Sequence, residues 1–319
     1  MLGPALRGAV IQKDDAACGR DGQHCGNFSE DSVATMTATP IPEGRYVTTA
    51  SGLRLHYHES GAREAGRGGE TVVFLHGSGP GASGYSNFKH NYPALAEAGH
   101  RVIVPDLPGY GLSDKPEDQE YINDFFIATL HEFLGALGIE RCVLLGNSLG
   151  GAIALGYTLA HPDVVRGLVL MAPGGVEERE AYFEMEGIKR MMALFAEGPL
   201  DFDAMKKLLS FQLFDASQVA DEVVAERVAV CADQPRTVLS TMRVPNMESR
   251  LSEICCPVLC FWGVNDQFNP PGGAQKIAAG CPRARVTLLN QCGHWVMVEH
   301  LDYFNRACLD FLNKEMDPA

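Results

Sequence analysis

The chain has 319 residues, 46% of them hydrophobic and 21% charged, a composition that suits a globular protein able to bury a sizeable core. Its 40 acidic against 26 basic residues leave a formal charge of −14, and no Lys/Arg cluster interleaved with aromatics offsets it, which argues against a nucleic-acid partner. No apolar run approaches the roughly 20 residues that span a bilayer, so a membrane partner is not expected either.

The N-terminus lacks the charged-then-apolar layout of a secretory leader. Ten cysteines are spread along the chain. Cys142 and Cys260 sit inside apolar runs, where thiols pack as small hydrophobes, and the group Cys255, Cys256, Cys260 has no second pair at zinc spacing. The expectation is reduced cysteines, a cytoplasmic location and no metal.

Residues 1–43 show no sustained period and read as a flexible tail, in which Met36 is a candidate start of translation. From 44 the pattern changes. Tyr46-Val47 and Leu53 to Tyr57, with a Ser-Gly turn between, predict an antiparallel hairpin at a sheet edge. Continuous apolar runs at Thr71–Leu75, Arg101–Pro105, Cys142–Leu145, Leu168–Met171 and Pro257–Trp262 predict strands of a doubly covered, mostly parallel sheet. A further strand-like run is Val286–Leu289. Between 176 and 250 the period becomes helical and rich in Met, Phe and Leu, which predicts a cap inserted into a core that occupies 44–175 and 251–319. His56 and His58 form a His-x-His; without acidic or cysteine partners nearby they are expected as surface residues rather than metal ligands.

The strongest local signal is Gly146-Asn147-Ser148-Leu149-Gly150, placed after one apolar strand and before a run of small residues. A serine on a tight strand-to-helix turn needs small neighbours, because the bend leaves no room for Cβ atoms. Its hydroxyl is a poor nucleophile unless a base accepts the proton and an acid orients that base. In the order nucleophile, acid, base, Asp266 follows the strand ending at Trp262-Gly263, and His294 follows Val286–Leu289. Both lie just past the C-terminal ends of strands, where such sheets place their sites. His76-Gly77-Ser78-Gly79-Pro80-Gly81-Ala82 follows another strand; its exposed amides, with that of Leu149, can form an oxyanion hole. It lacks the Gly-Lys-Ser/Thr ending of a phosphate loop.

These motifs, with Gly84-Tyr85-Ser86-Asn87, Pro105 to Gly111, Glu186-Gly187-Ile188-Lys189, Cys292-Gly293-His294-Trp295 and Glu299-His300, resemble the meta-cleavage product hydrolases, carbon–carbon bond hydrolases of aromatic and steroid ring degradation. The resemblance runs from about Gly44 to Asn313. It implies the α/β-hydrolase fold, a mostly parallel eight-stranded sheet flanked by helices with a helical cap. The activity implied is cleavage of the C5–C6 bond of a 2-hydroxy-6-oxo-hexa-2,4-dienoate by Ser148, Asp266 and His294, with Ser78 and Leu149 as the oxyanion hole. Gly77, Gly79, Asn87, Asn147, Arg227 and Trp295 are implied as substrate contacts, Arg227 meeting the carboxylate end. Judged without the resemblance, Arg227 is more often a solvated helix residue. No cofactor is implied, and a homo-oligomer, dimer or higher, is.

Ser148 at the nucleophile position argues against dehalogenase and epoxide hydrolase chemistry, which want Asp there. A carboxylesterase with the same triad is the nearest rival. A hormone-receptor-like binding protein with negligible turnover is the rival from another class.

Overall fold

The computed structural model describes residues 41–62 and 69–316. The expected tail, apart from 41–43, and Met36 lie outside the described residues. A hairpin opens the described chain, β1 (Arg45–Thr48) and β2 (Arg54–Ser60), and Gly52 in its turn adopts φ +91°, a region open mainly to glycine. There follow β3 (Thr71–Leu75), α1 (Gly84–Phe88), α2 (Tyr92–Glu97), β4 (Arg101–Pro105), α3 (Asn123–Ala136), β5 (Cys142–Asn147), α4 (Leu149–Ala160) and β6 (Val165–Met171). Between β6 and the next strand lie α5 (Arg179–Phe183), α6 (Glu186–Glu197), α7 (Phe202–Ser210), α8 (Asp221–Cys231) and α9 (Thr237–Ser240). The described chain ends with β7 (Val258–Gly263), α10 (Gly273–Gly280), β8 (Ala284–Leu289), α11 (Val296–Glu299) and α12 (Leu301–Lys314).

The eight strands form one sheet in the order β1-β2-β4-β3-β5-β6-β7-β8, antiparallel at β1/β2 and β2/β4 and parallel elsewhere. Successive side chains of β3 and β5 point to opposite faces, and both faces are covered. Val73, Leu75 and Leu144 pack with Phe126, Tyr157 and Trp262 on one side. Val72, Phe74, Val143 and Leu145 pack with Phe88, Phe304 and Phe311 on the other. Apolar burial on both sides, about 25 cal/mol per Å², explains why these strands read as unbroken hydrophobic runs instead of alternating ones.

The His-x-His expectation is corrected. His56 and His58 are 2% and 6% exposed. His56 Nδ1 donates to Asp106 Oδ2 at 2.8 Å, and Asp106 also accepts from the amides of Gly84 (2.7 Å) and Leu112 (2.9 Å). A buried carboxylate needs such donors. Desolvation would raise its pKa, but hydrogen bonding and charge from His56 outweigh it and hold Asp106 below its ordinary value. The pair therefore pins the start of α1 to the end of β4.

Candidate active site

Ser148 is the first bend after β5, at φ 53° and ψ −113°, outside the regions an ordinary serine prefers. Close packing around it forces the conformation. A Cβ on Gly150 would stand 2.0 Å from Leu75 O, and one on Gly146 2.4 Å from Gly150 O. Only glycine fits at either place, which is the physical content of the pentapeptide.

Asp266 follows β7 in a tight turn. Its Oδ1 accepts from the amides of Phe268 (2.7 Å) and Asn269 (3.0 Å), and its Oδ2 pairs with His294 Nδ1 at 2.7 Å. With Asp266 held by two backbone donors, the imidazole is fixed with Nδ1 toward the acid and Nε2 facing away. The His294 loop is itself anchored: its amide donates to Gln212 O at 2.7 Å, and the Gly293 amide donates to Glu299 Oε2 at 2.6 Å. Ser148 and His294 line one cavity of about 450 Å³. Among the described residues no hydrogen bond joins the Ser148 hydroxyl to the ring, a contact that commonly tightens only with substrate bound.

The same cavity is lined by Gly77, Ser78, Gly79, Asn87, Asn147, Leu149, Arg227 and Trp295, so every candidate catalytic or substrate-binding residue except Asp266, which sits behind His294, meets there. Among the described residues neither the Ser78 nor the Leu149 amide donates to a protein carbonyl, which leaves both for an oxygen in the cavity. The loop carrying Ser78 is braced by His76, whose Nδ1 donates to Gly77 O (2.8 Å) while Nε2 accepts from the Leu107 amide (3.0 Å). Full burial pulls the His76 pKa down to about 4, so the brace is neutral at ordinary pH. Asn147 donates weakly to Met171 O (3.3 Å) and His294 O (3.4 Å), and its buried Oδ1 has no partner.

Arg227, on α8, is 2% exposed. Its Nη2 donates to Asn87 Oδ1 at 2.5 Å, its guanidinium lies 4.8 Å from the centre of the Trp295 ring, and its Nε has no partner. Desolvation pulls its pKa down to about 10 against the neighbouring Glu226, so it stays charged at neutral pH. Glu226 is occupied by Lys89 at 3.0 Å instead. A buried guanidinium with an open donor and no carboxylate of its own is arranged to receive an anion.

Several residues that shape this site were given no role from the sequence, although Asn269, in an Asn269-Pro270 pair, and Glu299 belong to segments that resemble the family. Tyr182, Gln212, Phe268 and Asn269 line the cavity; the Tyr182 hydroxyl accepts from the Gly175 amide (2.9 Å), and Asn269 donates to Ala172 O at 2.6 Å. Lys89 and Glu299 tie core to insertion.

A family model for the alpha/beta hydrolase family matches residues 72–307. A 2-hydroxy-6-oxononadienedioate/2-hydroxy-6-oxononatrienedioate hydrolase of Paraburkholderia phymatum is 37% identical, covering 88% of this chain and 99% of that one. A 2-hydroxy-6-oxo-6-phenylhexa-2,4-dienoate hydrolase of Burkholderia cepacia is also 37% identical, covering 82% and 92%. Among solved structures, a meta-cleavage product hydrolase from Pseudomonas fluorescens superposes with a TM-score of 0.74 at 27% identity, over 85% of this chain and 98% of that one. By fold, site and sequence alike, the chain belongs to the α/β-hydrolase family and, within it, to the meta-cleavage product hydrolases, serine hydrolases that act on carbon–carbon bonds.

Proposed function

We propose that Ser148, His294 and Asp266 hydrolyse the C5–C6 bond of a 2-hydroxy-6-oxo-hexa-2,4-dienoate whose carboxylate end lies against Arg227. The observation that carries this reading is the Arg227 guanidinium, buried in the lining of the cavity that Ser148 also lines, without a carboxylate partner among the described residues. An ordinary esterase has no use for a buried cation, whereas a dienoate brings the missing charge. Carbon is a poor leaving group, so the dienol first becomes the keto tautomer, with Arg227, Asn87 and Asn147 holding the charged end. Ser148 Oγ, giving its proton to His294, attacks the C6 carbonyl, and the new oxyanion takes the Ser78 and Leu149 amides. The C5–C6 bond breaks with its electron pair delocalised through C3 and C4 onto the C2 oxygen, which takes up the proton held by His294, and water, deprotonated by His294, releases the acyl group. The products are a 2-hydroxypenta-2,4-dienoate and a carboxylic acid.

The described cysteines are all free, which supports a reducing, cytoplasmic setting. No helix of the described residues is long and apolar enough to cross a membrane. A homo-oligomer is part of the same proposal, and light scattering of the purified chain tests it.

The deciding experiment follows the visible absorbance of yellow ring-cleavage dienoates with the parent and with Arg227→Gln, alongside simple esters. The expected outcome is bleaching by the parent, a loss of at least about 100-fold in kcat/KM for dienoates in the variant, and little change for esters. Equal losses on both substrate types, or ester turnover without bleaching, would replace this reading with a carboxylesterase.

A further inference from the structure

The loop that carries His294 is left-handed at Gln291 (φ +51°), a conformation that a residue with a side chain keeps only where its surroundings impose it. Those surroundings lie on two sides. On one, β7 comes so close that a Cβ on Gly263 would stand 2.0 Å from Gly293 O, and the Asn265 amide donates to Cys292 O at 2.9 Å. On the other runs the turn after α7, continuous with that helix through the Gln212 amide on Leu209 O at 3.0 Å. A Cβ on Gly293 would stand 2.5 Å from Gln212 O and 2.9 Å from the Phe214 nitrogen, so only glycine lets the two backbones meet.

Glu299 fastens that second side. It ends α11, the single helical turn that follows the base, and its half-buried carboxylate divides its oxygens between the two backbones. Oε2 accepts from the Gly293 amide at 2.6 Å; Oε1 accepts from the Phe214 amide at 2.6 Å and, more weakly, from that of Asp215 at 3.4 Å. Beside them the His294 amide donates to Gln212 O at 2.7 Å. None of these bonds uses the imidazole. Asp266 holds the ring from the turn after β7, whereas Glu299 and Gln212 hold the main chain of the same residue from the turn after α7.

We infer that Glu299 is a positioning residue of the triad: it staples the His294 loop to the turn after α7, so the base stands at its working place only while that turn is docked. This rests on the triad reading of the site and goes beyond it. Gln212 also lines the cavity, so a wall that withdraws to admit substrate or release product takes the anchor of the base with it. Ser148 is then activated only behind a closed wall, where water is excluded.

The test follows labelling of Ser148 by a fluorophosphonate, which needs the base but no dienoate, in the parent, Glu299→Gln, Glu299→Ala and Phe214→Pro. Urea midpoints are measured alongside, and labelling is done without urea. Gln keeps an oxygen for one amide and sets its NH2 against the other; Ala keeps neither; Pro removes the Phe214 donor and leaves Glu299 on Gly293. The labelling rate is expected to fall about 30-fold in Glu299→Ala, about fivefold in Glu299→Gln and about tenfold in Phe214→Pro. On dienoates kcat should fall in step while KM stays within about threefold. Labelling of Glu299→Ala within about twofold of the parent, with only the urea midpoint lowered, overturns the inference and leaves Glu299 an anchor of the fold. A loss in the Glu299 variants with none in Phe214→Pro overturns it as well, because the turn after α7 then does not hold the base. Either result leaves the triad standing, whereas a parent that is not labelled at Ser148 removes the triad and this inference together.

Discussion

Asp266 shows at the scale of one residue how the site is set. It spends one oxygen on two backbone amides and the other on His294 Nδ1, so its position is fixed before any substrate arrives. In Asp266→Asn the side-chain oxygen can keep the two amides, but the NH2 group then faces Nδ1 as a donor and stabilises the wrong imidazole tautomer. We expect kcat to fall about 10⁴-fold with the urea midpoint little changed. A fall of under tenfold would show that the imidazole does not need this acid to orient it. Ser148 makes the complementary point, since its left-handed φ is enforced by glycines on either side and could be read from the pentapeptide. His56 and His58 could not be read that way. His56 is buried on Asp106, some 50 residues away in sequence, and His58 packs against the rings of His56 and Tyr85; nothing local in a His-x-His announces such partners.

Helix α8 is held to α1 at two consecutive positions. Arg227 bonds Asn87 inside α1, and Glu226 bonds Lys89, the residue that caps the end of α1. Glu222, one turn earlier on α8, adds a second carboxylate to Lys89 at 2.8 Å. The pairing has a chemical consequence beyond docking: Glu226, kept on Lys89, is kept off the guanidinium next to it. Lys89→Met frees Glu226 to neutralise Arg227 and lets the helix shift. We expect KM for dienoates to rise about tenfold with kcat for simple esters unchanged, and Lys89→Arg to restore most of the loss. Equal effects on dienoates and esters would mean that Lys89 serves stability alone. At this scale the sheet was largely legible, because a strand buried on both faces writes itself as an apolar run; β6 begins at Val165, three residues before its apolar run, since Arg166 breaks the pattern. The helices between β6 and β7 were legible as a group. Which of their residues face the cavity was not: Arg179 sits in a Glu-Glu-Arg-Glu run that reads as solvated, and Lys89 has meaning only once α8 is laid over α1.

For the whole molecule the charge balance and the buried carboxylate act in opposite directions with pH. At neutral pH the charge of −14 favours expansion by self-repulsion, and this fades as pH approaches the pI of about 5.1. Asp106 works the other way. Its folded pKa is held below the ordinary value, so its contribution is fully present above the unfolded carboxyl pKa, about 3.9, and is lost as pH falls through the folded one. Buried His76, its pKa pulled down to about 4 from about 6.5 in the unfolded chain, adds a loss that grows as pH falls below about 6.5, so the urea midpoint is expected to rise from pH 8 to a maximum near pH 6.5 and to fall below it, more steeply below about pH 4. Adding about 0.5 M NaCl at pH 7.5 should raise the midpoint, because the repulsion being screened is long-ranged, and the same addition near the pI should do much less. A midpoint that is flat from pH 8 to about 6.5, or lowered by salt at pH 7.5, would mean that local ion pairs such as Lys89–Glu226 outweigh the net charge. In that case the acidic surface would govern how substrate approaches the arginine-lined cavity and have little bearing on folding.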